Sequence, residues 1–270
     1  MIGRLLGHPR ALWARREMLA NLVSRELKAR YKGSLLGLCW AILTPLFMAL
    51  VYVFFLRLLA RGIPLETVLI GVFAWQFTAN CVQSGLTAVT GNANLVKKVF
   101  FPRQVLPLAG TLANTVNFLL SLGVQTVLLA FLLGARGEAI PPRAALALVV
   151  LVYHGLFNYG LSLWLAAANV YFRDVQHLVG VLLTAWFFAS PAMYDLSMVA
   201  QVTAGRPGLY DLYLCNPMAL IITAYRALFL PDAVFPWGWN LLPAALLPLL
   251  LLLGGGLLFQ RAQRNFADYL

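Results

Sequence analysis

Six long apolar stretches, separated by polar segments, make up most of this 270-residue chain. Each stretch has roughly the 20 residues that an α-helix needs to cross a hydrocarbon core of about 30 Å. The pattern therefore predicts an all-α integral membrane protein with six transmembrane helices. The predicted spans are residues 35–56, 65–88, 105–133, 144–170, 178–198 and 240–259.

The second predicted span carries three polar side chains at helical spacing, Gln76, Asn80 and Gln83. Such groups are costly against lipid, so they should face protein or a water-filled path. Hydrogen bonding to a neighbouring helix would explain the same spacing. Both interpretations remain open at this point.

Charged residues are scarce, at 11% of the chain against 61% hydrophobic, and their placement predicts the orientation. Of the 20 Lys and Arg residues, 14 lie before the first span, in the second and fourth connections or after the last span. The positive-inside rule therefore places both termini in the cytoplasm. The membrane topology explains the net charge of +11. A nucleic-acid partner would need a soluble basic domain, and the sequence has none. The three cysteines indicate neither a disulfide framework nor a metal site.

Residues 1–34 form a predicted cytoplasmic N-terminal segment, in which residues 12–32 have the pattern of a basic amphipathic helix. Met18, Leu22 and Val23 fall on one half of the helical wheel, whereas Lys28 and Lys32 fall on the other. Such a helix before a span is typical of the cytoplasmic headgroup region. We therefore predict an interface helix, with a simple topology anchor as the alternative.

The connection between spans two and three, about residues 92–103, is basic and has the pattern of a short helix. Asn94 is placed to cap a helix over residues 95–99, and Pro102 would end it. Phe100 and Phe101 then stand beside basic residues at the membrane edge. Such a pair is suited to docking a soluble partner or to anchoring in lipid.

The region between spans five and six, about residues 191–238, is too long for a simple turn. Pro191 should break span five, and the apolar stretch that follows Asn216 and Pro217 has about 14 residues, too few to span a bilayer. We therefore predict re-entrant helices that gate the outer mouth of a path. A surface loop lying passively in the headgroups is the alternative.

The chain lacks the sequence motifs of several common active sites. It has no phosphate-binding loop, no H-E-x-x-H, no C-x-x-C and no G-x-S-x-G. No acidic residue lies near the middle of a predicted span, which argues against coupling to protons or sodium. If the chain transports against a gradient, we therefore expect its energy to come from a separate subunit, and we expect no cofactor in the chain itself.

Five segments, in this order, together carry a resemblance to a known family. They are SRELKARYKGSLLGLCWAILTPL (24–46), NANLVKKVFFPRQVLPLA (92–109), NVYFRDVQHLV (169–179), SPAMYD (190–195) and NPMALIITAYR (216–226). With the six spans, they make the chain resemble the ABC-2 permease family, specifically the membrane subunits of polysaccharide ABC exporters.

The resemblance implies a domain at residues 35–260 that pairs with a second copy of itself and with two copies of an ABC ATPase, which would bind ATP and Mg²⁺. Residues 261–270 would be a cytoplasmic tail. It also implies a location in the bacterial cytoplasmic (inner) membrane. The implied substrate is a polyprenyl diphosphate-linked glycan such as O-antigen, teichoic acid or capsular polysaccharide. Contacts with the ATPase are implied for Asn94, Leu95, Val96, Lys97, Lys98, Val99, Phe100, Phe101, Arg173, Asp174 and His177.

Further residue roles follow from the chemistry of such a substrate. Basic groups near the inner headgroups suit the diphosphate, which points to Arg25, Lys28, Arg30 and Lys32. Aromatic platforms suit sugars, and the candidates along the path are Trp40, Tyr52, Phe54, Trp75, Phe77, Tyr159, Trp164, Trp186 and Tyr194. The predicted outer gate comprises Pro191, Tyr194, Asn216, Pro217, Tyr225 and Arg226.

Three other functions remain as alternatives. The first is an ABC-2 exporter of a drug or a small lipid, which would share the coupling elements. The second is a membrane enzyme acting on polyprenyl phosphates, for which Asp174 and His177 are the available acid–base pair. The third is a passive channel, which would need no ATPase partner.

Overall fold

The computed structural model describes residues 16–58 and 63–270, and every regular element in these ranges is helical. The predicted all-α class is therefore confirmed for the described chain. The α-helices are α1 (Arg16–Tyr31), α2 (Trp40–Leu58), α3 (Leu65–Thr87), α4 (Ala93–Lys98), α5 (Val105–Gly134), α6 (Ala147–Tyr171), α7 (Val175–Phe188), α8 (Leu196–Val202), α9 (Pro207–Leu214), α10 (Pro217–Phe229), α11 (Leu242–Ala262) and α12 (Phe266–Tyr269).

Four helical segments in the described ranges are long and apolar enough to cross a membrane. They are Leu65–Thr87, Val105–Gly134, Pro142–Tyr171 and Trp239–Tyr269. A bent pair, Gly208–Leu214 with Pro217–Phe229, meets at 79° and could count as a fifth crossing. The chain is thus a multi-pass membrane protein, and the total of six spans stays a prediction.

The structure changes the predicted bounds of spans one and five. Span five was expected over residues 178–198, but α7 ends at Phe188 and has 14 residues, which is too short for a crossing. The irregular segment that follows α7 contains Ser190 and Pro191, and proline cannot continue the helical hydrogen bonding. Span one was expected over residues 35–56, and it corresponds to α2, which begins at Trp40 and reaches Leu58 at the edge of the described range.

Helix α3 lies at the centre of the bundle and packs against α2, α5, α6 and α10. Small residues allow the helices to approach closely. A Cβ added at Gly85 would meet Ser162 of α6 at 2.7 Å, and one added at Gly160 would meet the backbone of Leu252 of α11 at 2.8 Å. Close contacts of this kind are how membrane helices associate when lipid supplies no hydrophobic drive.

Successive helices run in opposite directions, so the connections gather at two ends of the bundle. At one end α1, the segment 88–104 and α12 meet in one apolar cluster, and we call this the tail end. At the other end the start of α3, residues 135–146 and residues 192–195 meet around Arg226, and we call this the Arg226 end. Helices α1 and α12 therefore lie at the same end.

Helix α1 packs against α5 with its apolar side. Leu22 is buried in the tail-end cluster, and Met18, Leu19 and Val23 pack against that cluster. From the sequence, this apolar stripe was expected to lie in the headgroup region. The structure instead packs the stripe against protein. Whether the outer face of α1 also touches lipid stays a prediction.

Candidate functional site

The connection that was predicted to contact an ATPase is a short helix with one buried and one exposed side. In α4 and the residues after it, Val96 is 2% exposed and Phe101 is 6% exposed, whereas Phe100 is 96% exposed. The side chains of Asn94, Lys97, Lys98 and Val99 are also exposed, and Leu95 is half-buried. The expectation that both Phe residues lie at the surface is therefore wrong for Phe101, which packs inward.

The start of this helix also differs from the prediction. Asn94 was expected at the cap, but α4 begins at Ala93 after the turn Thr90–Asn92, so Asn94 lies inside the helix. Asn92 takes the preceding position, and its Nδ2 donates to the backbone oxygen of Ala88 at 2.8 Å. Arg25 of α1 donates to Asn92 Oδ1, which ties α1 to the connection.

A polar cavity of about 490 Å³ opens between α1 and α4. Two cations, Arg25 and Lys98, line it together with Asn92 and Asn94. Of the residues predicted to bind diphosphate, Arg25 faces this cavity, whereas Lys28 and Lys32 are exposed. The side chain of Arg30 lies outside the described part of the structure.

The second predicted contact loop lies at the same end of the bundle. Arg173, Asp174 and His177 are all exposed, as is Phe172 at 69%. Asn169, just before this loop, donates to the backbone oxygen of Leu86 at 2.8 Å and so ties the end of α6 to the end of α3. The structure thus places both predicted contact loops at the tail end.

The aromatic residues predicted along a glycan path divide into two sets. Tyr52, Trp75 and Trp186 belong to one cluster, in which Trp75 lies 5.4 Å from Trp186 and 5.5 Å from Phe187 between ring centroids. Sequence reasoning did not select Phe187, which joins Tyr52 to Trp75. The remaining candidates lie outside this cluster. Trp40 and Phe54 are exposed on α2, and Phe77 is stacked on Phe118 in the core. Tyr159 and Trp164 are on α6, and Tyr194 is at the Arg226 end.

A groove of about 300 Å³ runs along this aromatic cluster between α2, α3 and α7. Tyr52, Trp75 and Phe187 line it together with the polar side chains of Gln76 and Thr184. Gln76 donates to Asn80 on the same helix at 3.1 Å. Gln76 and Asn80 are half-buried, so this polar face of the central helix borders the groove. The groove therefore combines aromatic rings with hydrogen-bonding groups.

Arg226 is the central residue of the predicted outer gate. Its side chain is 3% exposed and donates to the backbone oxygens of Thr67 at 2.9 Å, Tyr194 at 2.8 Å and Ala192 at 3.3 Å. Asp195 lies 4.0 Å away as a weak ion-pair partner. One guanidinium therefore joins α10 to the start of α3 and to the segment that follows α7.

Asn216 organises the other end of α10. Its Oδ1 accepts from the backbone N–H of Met218 at 3.0 Å, which caps the helix, and it also accepts from Trp186 Nε1 at 3.0 Å. Its Nδ2 donates to Ser190 Oγ at 3.0 Å. The helix begins at Pro217, one residue before the apolar stretch that was predicted to follow Asn216 and Pro217.

The other predicted gate residues have separate environments. Tyr194 donates to the backbone oxygen of Phe188 and accepts from Tyr213 at 3.1 Å. Burial raises the pKa of the Tyr194 phenol above its ordinary value, so the group stays protonated near neutral pH. Pro191 is buried beside this segment. Tyr225 faces the core, where its ring lies 5.9 Å from that of Phe118.

Sequence reasoning missed the polar contacts inside the bundle. Thr78 Oγ1 and His154 Nε2 are 2.7 Å apart, and both residues are fully buried between α3 and α6. Asn114 of α5 donates to Ser84 Oγ at 2.8 Å. These residues recur at helical spacing with other buried polar residues, namely Thr111, Asn117, Ser121 and Gln125 on α5 and Asn158 and Ser162 on α6. The helical spacing of these polar residues was the sequence signal from which the contacts could have been predicted.

The chain matches the family model described as ABC-2 type transporter over residues 18–230. This chain belongs to the ABC-2 type transporter family. It is 37% identical over 266 residues to the O-antigen export system permease protein RfbA of Myxococcus xanthus, covering 96% of this chain and 97% of that protein. It is 30% identical over 219 residues to a Klebsiella pneumoniae protein of the same name, covering 79% and 80%.

Family membership settles the class of protein. Both named relatives are permease proteins of an export system, so the chain is a transporter component and not an enzyme. Asp174 and His177 are exposed one turn apart, where the backbone N–H of His177 donates to the backbone oxygen of Asp174. The matched region runs from α1 to the end of α10, so it includes both tail-end loops and the Arg226 contacts. The resemblance stated from the sequence is confirmed.

Proposed function

We propose that this chain is the permease subunit of an ATP-driven exporter that moves a polyprenyl diphosphate-linked polysaccharide, O-antigen or teichoic acid, across the bacterial cytoplasmic membrane. Two copies would form the path, and two copies of an ABC ATPase would supply the energy. The relative from Myxococcus xanthus, which is named an O-antigen export system permease, supports this substrate class because the similarity extends along nearly the whole chain.

The observation that carries the proposal is the two-sided helix α4. Its inner side chain, Val96, is held in the bundle, whereas Lys97, Lys98 and Phe100 are presented outward. A partner that holds the exposed side can therefore move the core to which the buried side is fixed. We assign this surface, with Arg173, Asp174 and His177 as the second contact, to the ATPase.

Basic residues at the same end suit the diphosphate. Lys28 is exposed on α1, Lys32 is exposed directly after it, and Arg25 lines the cavity beside Lys98. Each cation near an anionic headgroup surface contributes about 1 kcal/mol of attraction. The tail end would then be cytoplasmic, as the excess of Lys and Arg predicts, and the Arg226 end would face outward.

The groove between α2, α3 and α7 is the surface we assign to the sugar chain. Sugars offer C–H faces to aromatic rings and hydroxyls to amides, and the groove holds Trp75 and Tyr52 beside Gln76. Helices α2 and α7 also expose large apolar side chains, among them Phe47, Phe54, Leu178 and Val181. A second copy facing this groove would enclose the path and cover part of that surface.

Helices α9 and α10 support a re-entrant gate. Met218, at the start of α10, contacts Thr78 deep in the bundle at 3.3 Å, whereas Arg226 reaches Thr67 at the end of the bundle. Thr78 lies eleven positions after Thr67 in the same helix, which is roughly 16 Å along α3. The bend of 79° between the two helices thus lies well below the Arg226 end.

Purification of the tagged chain from native membranes in mild detergent tests the subunit assignment. We expect an ATPase with a phosphate-binding loop to co-purify in equal amount, and replacement of Phe100 with Ser to reduce its recovery. Matched replacement of the exposed Phe172 with Ser should have a smaller effect, because it lies at the second contact. Recovery of the chain without a nucleotide-binding partner would refute the assignment.

A further inference from the structure

The last residues of the chain close over the apolar cluster of the tail end. Phe266 in α12 is fully buried, and its ring lies 5.2 Å from that of Phe259 and 6.1 Å from that of Tyr171. Leu270 packs against the same cluster. A free polar tail would not bury an aromatic side chain in this way, so residues 263–270 are part of the folded bundle.

The same tail is tied to the first ATPase-facing loop. Helix α12 packs against α4, and Val96 and Phe101 share the apolar cluster with Phe266. Arg103, two residues beyond Phe101, donates to the backbone oxygen of Gln263. The tail therefore holds this loop through apolar contacts and through a charge-assisted hydrogen bond.

The tail is also tied to the second loop. The ring of Tyr171 lies 4.7 Å from that of Tyr269 in the tail, and its hydroxyl donates to the backbone oxygen of Ala262, the last residue of α11 before the tail, at 2.9 Å. Tyr171 is the last residue of α6 and directly precedes the exposed residues Phe172 and Arg173. The tail thus lies between the two loops and contacts the anchor of each.

We infer that residues 263–270 clamp the two ATPase-facing loops into one rigid unit, with Phe266 as the positioning residue. A short loop that is pushed by itself can deform, and the displacement is then lost before it reaches the long helices. Loops that are both fixed to the buried ring of Phe266 must move together, and they carry α6 and α11 with them. This inference rests on the proposed function, because it takes both loops to be contacts with the ATPase.

The inference is tested with Phe266→Ala, Phe266→Leu and Arg103→Ala, and with Asp268→Ala as the control on the exposed side of α12. Each full-length variant is reconstituted with the ATPase, and glycan export is measured per ATP hydrolysed. We expect this ratio to fall about five-fold or more for Phe266→Ala, at the lower end of usual coupling between sites. Phe266→Leu should restore most of it, Arg103→Ala should have a partial effect, and Asp268→Ala should match the parent chain.

Hydrogen exchange in the purified chain separates this inference from the proposed function. We expect Phe266→Ala to speed exchange in both loops, residues 93–99 and 172–177, with no ATPase or substrate present. Unchanged exchange in either loop, or an unchanged ratio of export to hydrolysis, would overturn the clamp. Loss of ATPase binding by Phe266→Ala would also overturn it, since the clamp transmits motion and does not form the partner's surface. Absence of export by the parent chain would instead refute the proposed function.

Discussion

The tail end and the Arg226 end of the bundle are both closely packed, but different groups hold them. At the tail end Phe259 and Phe266 are buried ring against ring. At the Arg226 end one buried guanidinium donates to backbone oxygens, including those of Thr67 and Tyr194. Apolar contacts have no preferred direction, so they retain most of their stabilising energy after a small displacement. Hydrogen bonds to a guanidinium depend on angle and are lost in a discrete step.

This difference matches what each end has to do in the proposed cycle. An element that receives force from an ATPase must stay attached through every state, and non-directional packing allows that. A gate must have two distinct states, and a set of directional bonds that break together provides them. Bistable contacts of this kind are what turn small shifts into switching.

The largest predicted difference is between two adjacent residues at the tail end. Phe101→Ala removes a buried ring and should lower the free energy of unfolding by about 3–5 kcal/mol. Phe100→Ala removes an exposed ring and should change it by less than about 0.5 kcal/mol, while export falls. Titration with SDS in detergent micelles measures the free energy of unfolding, and a transport assay measures export. Equal destabilisation by the two substitutions would contradict the two-sided arrangement of this segment.

At the Arg226 end, Arg226→Ala should lower the free energy of unfolding by about 2–5 kcal/mol, because three buried carbonyl groups lose a charged donor. Arg143 is the matched control, since it also donates to two backbone oxygens, of Leu230 and Pro231, but is exposed. Arg143→Ala should cost less than about 1 kcal/mol. If the two arginines prove equivalent in the same SDS titration, burial is not what makes the Arg226 contacts strong.

Gly71 tests how closely the segment after α7 approaches α3. A Cβ at this position would overlap the backbone carbonyl of Ala192, so Gly71→Ala should force a shift that costs about 1–3 kcal/mol. Gly123 is the control, because an added Cβ there meets open space. Gly123→Ala should be neutral or slightly stabilising. A neutral Gly71→Ala in thermal unfolding would show that this approach is looser than described.

The smallest predicted effect concerns the lipid diphosphate. Replacement of Lys28 with Gln should weaken activation of the reconstituted ATPase by lipid-linked glycan about five-fold in half-maximal concentration, from roughly 1 kcal/mol of attraction per cation. The exposed Arg264 in the tail serves as a control of equal charge change, and Arg264→Gln should leave activation unaltered. Normal activation of Lys28→Gln would show that α1 does not contribute to the diphosphate site.

Hydropathy predicted the long helices well, because their apolar residues come in unbroken runs. The predicted 105–133 corresponds to Val105–Gly134, and 65–88 to Leu65–Thr87. The start of α10 was predictable from Asn216 and Pro217, a capping residue followed by a residue suited to the first turn. These features depend on local sequence alone.

Other features depend on tertiary contacts that leave little trace in the sequence. Arg226 was selected as a gate residue, but its partners are backbone oxygens, which any residue supplies. The opposite directions of Phe100 and Phe101 follow from the extended backbone at Val99. Packing of the tail into the bundle could not be predicted, because α12 has only four residues, too few for a periodic pattern.

Transport by purified components tests the central claim most directly. Proteoliposomes that contain this chain, its co-purifying ATPase and a fluorescent polyprenyl diphosphate-linked glycan are supplied with ATP outside, and the glycan is assayed for movement across the bilayer. We predict ATP-dependent movement that is lost with a non-hydrolysable nucleotide and reduced by Phe100→Ala. Movement that proceeds without nucleotide, or a complete absence of movement with an active ATPase, would contradict the account.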